Sequence, residues 1–423
     1  MNKPIFILLF PYKVVDATIR FHEIDYFKDF AEVQVWDMSN IINPEFADKI
    51  SAKNKDKEEV INLKSLKEFI HRLREIRQKA YNTKICISND VTFATPMQFI
   101  CNLSLSIILY KRNIILFDMY IGGQPLKYEQ KTEEAILIKF RNFFSKLVSF
   151  FTSLTSLSEF KKRITYLILS KISLFVPIIQ THRLVAGDQW RIIAIKSIKK
   201  KIKIINGHCQ DFSNYLLSLK AGSSKNIQSS GKVVFLATAG PVSEGDGFYF
   251  GRKDSRTSEV WYPLLASFFT KIEEQTGSIV EIGGHYKSTY EITAPKFKDR
   301  LVRFGYTNEM IRDCDFVIAI SSTAISYAVI YRKPVIFIYS NELEKDELTM
   351  QAVNNMSKML GTVPVNIDNF SSNSMELLKV NEERYLNYER SFLTSDLSMR
   401  PNAQIILEDM MGIDTQDYFT KLN

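Results

Sequence analysis

Of the five histidines in the sequence, only His285 directly follows a strongly predicted strand of the second half, within SIVEIGGHYKSTY. An imidazole there can donate to a departing phosphate and neutralise the charge that grows on it. Gly283 and Gly284 let backbone approach a ligand closely, while Lys287, Ser288 and Tyr290 add a cation and hydroxyls. A loop histidine bonded to backbone has the same local sequence. The second candidate is Ser321-Ser322-Thr323, between the predicted strand DFVIAI and a helix beginning near Ala324. Hydroxyls at a helix N-terminus join free backbone N–H groups and the positive end of the dipole, which is an anion site. An ordinary N-cap needs just one of the three. The third is the loop ATAGPVSEGDGFYFGRKDSR, where Gly240, Gly245, Gly247 and Gly251 allow a tight path around a nucleotide. Arg252, Lys253 and Arg256 supply cations for phosphate, or else form a solvated loop.

These runs match neither a P-loop nor GxGxxG, so an ATPase or an NAD enzyme finds no support. No GxSxG elbow occurs, which argues against a serine hydrolase. Asp313-Cys314-Asp315 has the look of a metal-binding DxD but precedes its strand, and it reads as a turn; no metal site is expected. Carboxylates able to take a proton from a hydroxyl are Asp90, Asp118 and Asp188, each after a predicted strand of the first half, with Asp211 at the domain connection. Each also suits a helix cap or a loop.

The elements that would position these groups alternate strand and helix, the pattern of parallel sheets flanked by helices. PIFILLF, EVQVWDM, TKICIS and NIILF read as strands, and SLKEFIHRLREIRQKA as a surface helix capped by Ser65. RLVAG, WRIIAIKSIKK and KIKII complete the first unit. The flexible run AGSSKNIQSSG leads into a regular βαβαβ series from GKVVFLATAG to KPVIFIYS. The fold class is therefore α/β with two Rossmann-like domains, residues 1–210 and 231–423. Ligands on such sheets bind at the carboxyl ends of strands.

At 423 residues, two domains are the default. Cys86, Cys101, Cys209 and Cys314 are scattered without a CxxC pair, which favours neither zinc nor a disulfide framework and fits a reducing compartment. The opening run PIFILLF is too short for a signal peptide. The formal charge of +8 is uneven: residues 139–203 hold 14 Lys/Arg against Glu159 and Asp188, a net +12, so the remainder is slightly acidic. Within this segment, about 134–178 reads as a helical insertion in the first domain. Two amphipathic stretches carry Lys139, Arg141 and Lys146, then Lys161, Lys162 and Arg163, beside apolar faces. Such helices lie in the plane of an anionic membrane surface, or form a hairpin packed on the sheet or on a second subunit. Charges interrupt both, so neither offers the ~20 apolar residues of a spanning helix. The localised charge argues against nucleic acid.

Three stretches, INGHCQDFSNYL, SEVWYPLLASFFTKIEEQTGSIVEIGGHYKSTY and RLVRFGYTNEMIRDCDFVIAISSTAISYAVIYRKPVIFI, resemble bacterial surface-polysaccharide glycosyltransferases of the GT-B type. They are similar in particular to CMP-sugar-dependent sialyl-, Kdo- and nonulosonate transferases. The resemblance spans roughly residues 206–345. It implies that His285 and the hydroxyls of Ser321, Ser322 and Thr323 hold the donor phosphate; this chain has Tyr286 where that family has proline. It further implies an inverting transfer from a CMP donor, for instance of a nonulosonic acid, to a glycan or lipid-linked acceptor of capsule or lipopolysaccharide. A first-domain carboxylate would act as base, no metal would be needed, and the enzyme would sit on the cytoplasmic face of the inner membrane. The alternatives are a UDP-sugar-dependent transferase or epimerase of the same architecture, and a non-catalytic assembly protein bound to the membrane.

Overall fold

A computed structural model describes residues 3–47, 57–91, 95–110, 114–120, 180–197, 202–220, 230–237, 255–284, 294–370, 376 and 378–415. The first domain is a seven-stranded sheet of β1 (Ile5–Phe10), β2 (Glu32–Asp37), β3 (Val60–Asn62), β4 (Ile85–Asn89), β5 (Ile114–Tyr120), β6 (His182–Ala186) and β7 (Lys203–Gly207). Their order is β3-β2-β1-β4-β5-β6-β7, and every pairing is parallel. The expected doubly wound α/β layout is thus present. The helical insertion expected at 134–178, with Lys139, Arg141, Lys146, Lys161, Lys162 and Arg163, lies outside the described residues. Among the described residues no helix is long and apolar enough to cross a membrane.

A parallel strand is covered on both faces, which is why IFILLF is apolar at every position and wholly buried. Its two faces enter separate cores. Ile5, Ile7 and Leu9 pack with Phe69, Leu73 and Ile76 of the helix Leu66–Lys79 and with Leu105 of the helix Pro96–Leu109. The Ser65 hydroxyl accepts from the Glu68 N–H at 3.2 Å, so the cap expected there forms. Phe6, Leu8 and Phe10 face the other way, toward Phe27 and toward Ile405, Ile406 and Leu407.

The second domain is a six-stranded sheet of β8 (Lys232–Leu236), β9 (Ile279–Gly284), β10 (Val302–Phe304), β11 (Phe316–Ala319), β12 (Val335–Tyr339) and β13 (Val365–Asn366). The order is β10-β9-β8-β11-β12-β13, again parallel throughout. The helix Ser258–Thr276 stops at Gly277, whose φ of 68° provides the left-handed cap that the sequence signalled.

The C-terminal boundary differs from expectation. Tyr385, Tyr388, Phe392 and Leu393 join the second core, but Ala403, Ile405, Ile406, Leu407, Met410 and Met411 belong to the first. The chain has therefore crossed back, and residues 403–411 pack with the first sheet. The helix Gln210–Lys220 spans the same junction, with Phe212, Tyr215 and Leu216 in the second core and Leu217 in the first. His208 pins the two crossings together. Fully buried, its ring bonds the Thr394 hydroxyl and the Arg400 carbonyl, both at 2.9 Å.

Burial pushes the His208 imidazole down from 6.5 to about 4, outweighing the attraction of Asp396. Between those values the unfolded chain holds a proton that the folded chain refuses, so stability falls as pH drops through the window. His208→Asn, which does not titrate, is expected to lose about 2 kcal/mol less than the wild type between pH 7 and pH 4.5 in denaturant unfolding. Equal losses in the two proteins would place the acid sensitivity elsewhere.

Candidate functional site

Between the two sheets lies a cavity of about 420 Å³. From the second domain it is lined by Leu236 and Ala237 at the end of β8, Gly283 and Gly284 at the end of β9, and Ser322 and Thr323 after β11. β9 and β11 flank β8 on either side, so the cavity opens where the strand order reverses, the place at which parallel sheets bind ligands. The first domain contributes Arg20, Glu23 and Tyr26, and the junction helix contributes Asp211 and Asn214.

Glycine is required at 284, because the Phe304 ring occupies the space a Cβ would need. At 283 a Cβ would meet only ordinary contacts. The strand that leads to His285 therefore ends at the cavity. His285, Lys287, Ser288 and Gly240 themselves lie outside the described residues.

Of the hydroxyl trio, Ser322 and Thr323 both line the cavity. Ser322 also closes a local turn, its hydroxyl accepting from the Ala324 N–H at 3.2 Å. Thr323 is exposed beside it, and its carbonyl accepts from the Ser326 hydroxyl at 2.7 Å. The run thus makes a hydroxyl-stabilised turn before the helix Ile325–Ile330, whose N-cap is Ala324, and faces the cavity.

Two buried carboxyls sit in the same lining, and burial governs both. Asp211 is pushed up from 3.8 to about 7, against hydrogen bonds from Ser326 and Tyr327 that favour its charged form. Glu23 is likewise raised from 4.5 to about 7. Its backbone is left-handed, with φ of 58°, and its carboxylate accepts from the Gln210 amide at 2.7 Å and the Ala403 N–H at 2.9 Å. Each of its oxygens already has a donor, so Glu23 ties three distant segments together. Asp211 is the better placed for proton transfer: it is held by hydroxyls, is poised near neutral pH, and sits beside Tyr327, whose hydroxyl accepts from the Asn214 amide at 3.5 Å.

The three first-domain aspartates are placed differently. Asp90 is exposed after β4. Asp118 lies within β5 rather than after it, gripped by the Arg183 guanidinium at 2.8 and 2.9 Å. Asp188 is exposed in the first turn of the helix Gly187–Ser197. None of them lines the cavity. The segment Asp313-Cys314-Asp315 is a helix-to-strand turn, as expected: Asp313 pairs with Arg312, Cys314 is buried, and Asp315 accepts from the Ser230 N–H. Sequence reasoning reached Asp211 as one acid at the connection but missed Glu23 and Asn214. The available signal for Asp211 and Asn214 was their presence in a helix, QDFSNYLLSLK, whose apolar residues cover more than one face.

No protein-family model and no curated protein sequence matches the chain. Among solved structures it is similar to the UDP-GlcNAc 2-epimerase of Methanocaldococcus jannaschii in complex with UDP-GlcNAc and UDP, at 9% identity and a TM-score of 0.48, covering 97% of this chain and 99% of that one. It is also similar to S. aureus MnaA in a co-structure with UDP, at 11% identity and 0.47, with 98% of each chain covered. A variant of the wall teichoic acid polymerase TagF aligns at 12% identity and 0.47, over 97% of this chain and 89% of that one.

Proposed function

We propose that the chain is a nucleotide-sugar-dependent glycosyltransferase of GT-B architecture. The carrying observation is that one cavity between two parallel sheets brings together the strand ends at Gly283-Gly284 and Ser322-Thr323 and the buried Asp211 carboxyl near pH 7. The strand ends bind the nucleotide phosphate through backbone N–H groups and hydroxyls. Asp211 takes the proton of the acceptor hydroxyl as that oxygen attacks the anomeric carbon and the nucleotide departs.

The reading extends to a CMP-linked donor such as a nonulosonic acid, to a glycan or lipid-linked acceptor at the membrane surface, and to turnover without a metal. Calorimetry with CMP and with UDP tests it. Binding of CMP in preference to UDP, with transfer that survives EDTA, is the expected result. Preference for UDP would replace the donor, and a magnesium requirement would remove the metal-free route. Absence of binding by both nucleotides, with no rise in melting temperature, would sink the enzymatic reading, since a ligand that binds only the folded state must stabilise it.

A further inference from the structure

The cavity contains one cation, and the structure leaves it without a described counterion. Arg20, in the helix Asp16–Phe21, is the single cation among the described residues of the lining, and it makes no ion pair among those residues. Of the four acids in the lining, three are engaged, and the fourth, Glu309, is exposed and makes no ion pair among the described residues. Asp25 pairs with Lys28 at 2.6 Å, Glu23 is held by Gln210 and Ala403, and Asp211 by Ser326 and Tyr327.

Arg20 belongs to the first domain, yet its guanidinium lies against the second. Its Cζ is 4.7 Å from the ring centroid of Tyr306. A Cβ at Gly305 would come within 2.8 Å of its Nη2, and Gly305 has a φ of +74°. The chain therefore places a residue without a side chain where the guanidinium crosses. Stacking uses the face of the group and leaves the N–H edge available. Gly305 also lines the cavity, on the same domain as Gly284, Ser322 and Thr323.

The geometry points to Arg20 as a donor-phosphate ligand supplied from the opposite domain: a planar fork, held on Tyr306, that meets the phosphoryl oxygens from the side facing the second-domain strand ends. This rests on the nucleotide-sugar reading and deepens it. The Tyr306 ring, on the second domain, keeps the fork aligned in the free protein. Arg20 is exposed, so removing it leaves the core untouched.

The test is calorimetry on wild type, Arg20→Gln, Arg20→Lys and Tyr306→Leu with CMP, UDP and the nucleosides cytidine and uridine. For whichever nucleotide the wild type binds, Arg20→Gln is expected to weaken affinity about tenfold or more, because a charge-assisted bidentate contact is lost. Arg20→Lys should fall between, retaining charge without the fork, and Tyr306→Leu should lose a few-fold. Nucleoside affinity should be equal in all four proteins, and melting temperatures should match. A nucleotide Kd unchanged in Arg20→Gln, with the wild type binding normally, overturns the assignment while leaving the proposed function standing. Loss of nucleoside binding in parallel with nucleotide binding also overturns it, since the defect would then not concern phosphate. A wild type that binds neither nucleotide ends both readings together.

Discussion

Replacing Asp211 with asparagine is expected to lower turnover by about 10²- to 10⁴-fold while making the folded protein more stable at alkaline pH. Both effects have one cause. The carboxyl is 6% exposed, and burial lifts it from 3.8 to about 7. Between those values the folded chain holds a proton that the unfolded chain releases, so stability falls as pH rises through the window and the full cost is present above pH 7. The size of the shift sets that cost on the order of 4 kcal/mol. Asparagine is nearly the same shape and keeps an oxygen that accepts from the Tyr327 hydroxyl, but it has no charge to desolvate. It also has no basic oxygen for a hydroxyl proton. The variant should therefore unfold at a higher temperature than the wild type at pH 8, and the gap should shrink toward pH 4. Release of free nucleotide from the donor measures the loss of turnover. A constant gap across pH would show that the carboxylate is not penalised by burial, and full activity in the variant would assign the proton transfer to another group.

Other residues can be ranked by the same electrostatics. Asp118 is locked to Arg183 by two short hydrogen bonds, which fixes its geometry within the sheet, away from the cavity lining. Glu23 shares the elevated pKa of Asp211, but its oxygens are taken by donors from residues 187 and 380 positions away in sequence. Its place is to align the junction helix against the first domain.

That separation also explains what the sequence could and could not reveal. β1, β4, β8, β11 and β12 were legible because a strand buried on both faces must be apolar at every position, and runs such as IFILLF and FVIA have few other uses. The cavity end of β9 was legible from paired glycines after an apolar run, and the Ser-Ser-Thr run from its place before a helix. Glu23 was not legible, since nothing in RFHEIDYF announces a left-handed residue whose partners lie in other segments. The return of residues 403–411 to the first domain was equally hidden. IILEDMM has the composition of a core segment, but composition does not say which of two sheets it covers.

The crossing that brings this segment back supplies the other large expected effect. Gly187 directly follows β6 and starts the helix Gly187–Ser197, and in RLVAGD it reads as nothing more than the end of a strand. Its φ is +73°, and a Cβ there would overlap the backbone of Ser391 and Phe392, in the turn Glu389–Leu393 that carries the chain toward its return. Gly187→Ala is expected to cost about 3–5 kcal/mol, the sum of left-handed strain and an overlap that no side-chain rotation relieves. Gly277→Ala is the matched control: its φ is +68°, but nothing lies within 4 Å of the added carbon, so strain alone should cost about 1 kcal/mol. Denaturant unfolding of the two variants isolates the packing contribution by difference. Because Thr394, one residue beyond that turn, holds His208, displacing the crossing should also misplace the junction helix that carries Asp211. The Gly187 variant is thus expected to lose nucleotide affinity as well as stability, and the Gly277 variant only stability. Equal destabilisation of the two would mean that the crossing yields to the extra carbon and does not hold the cleft in register.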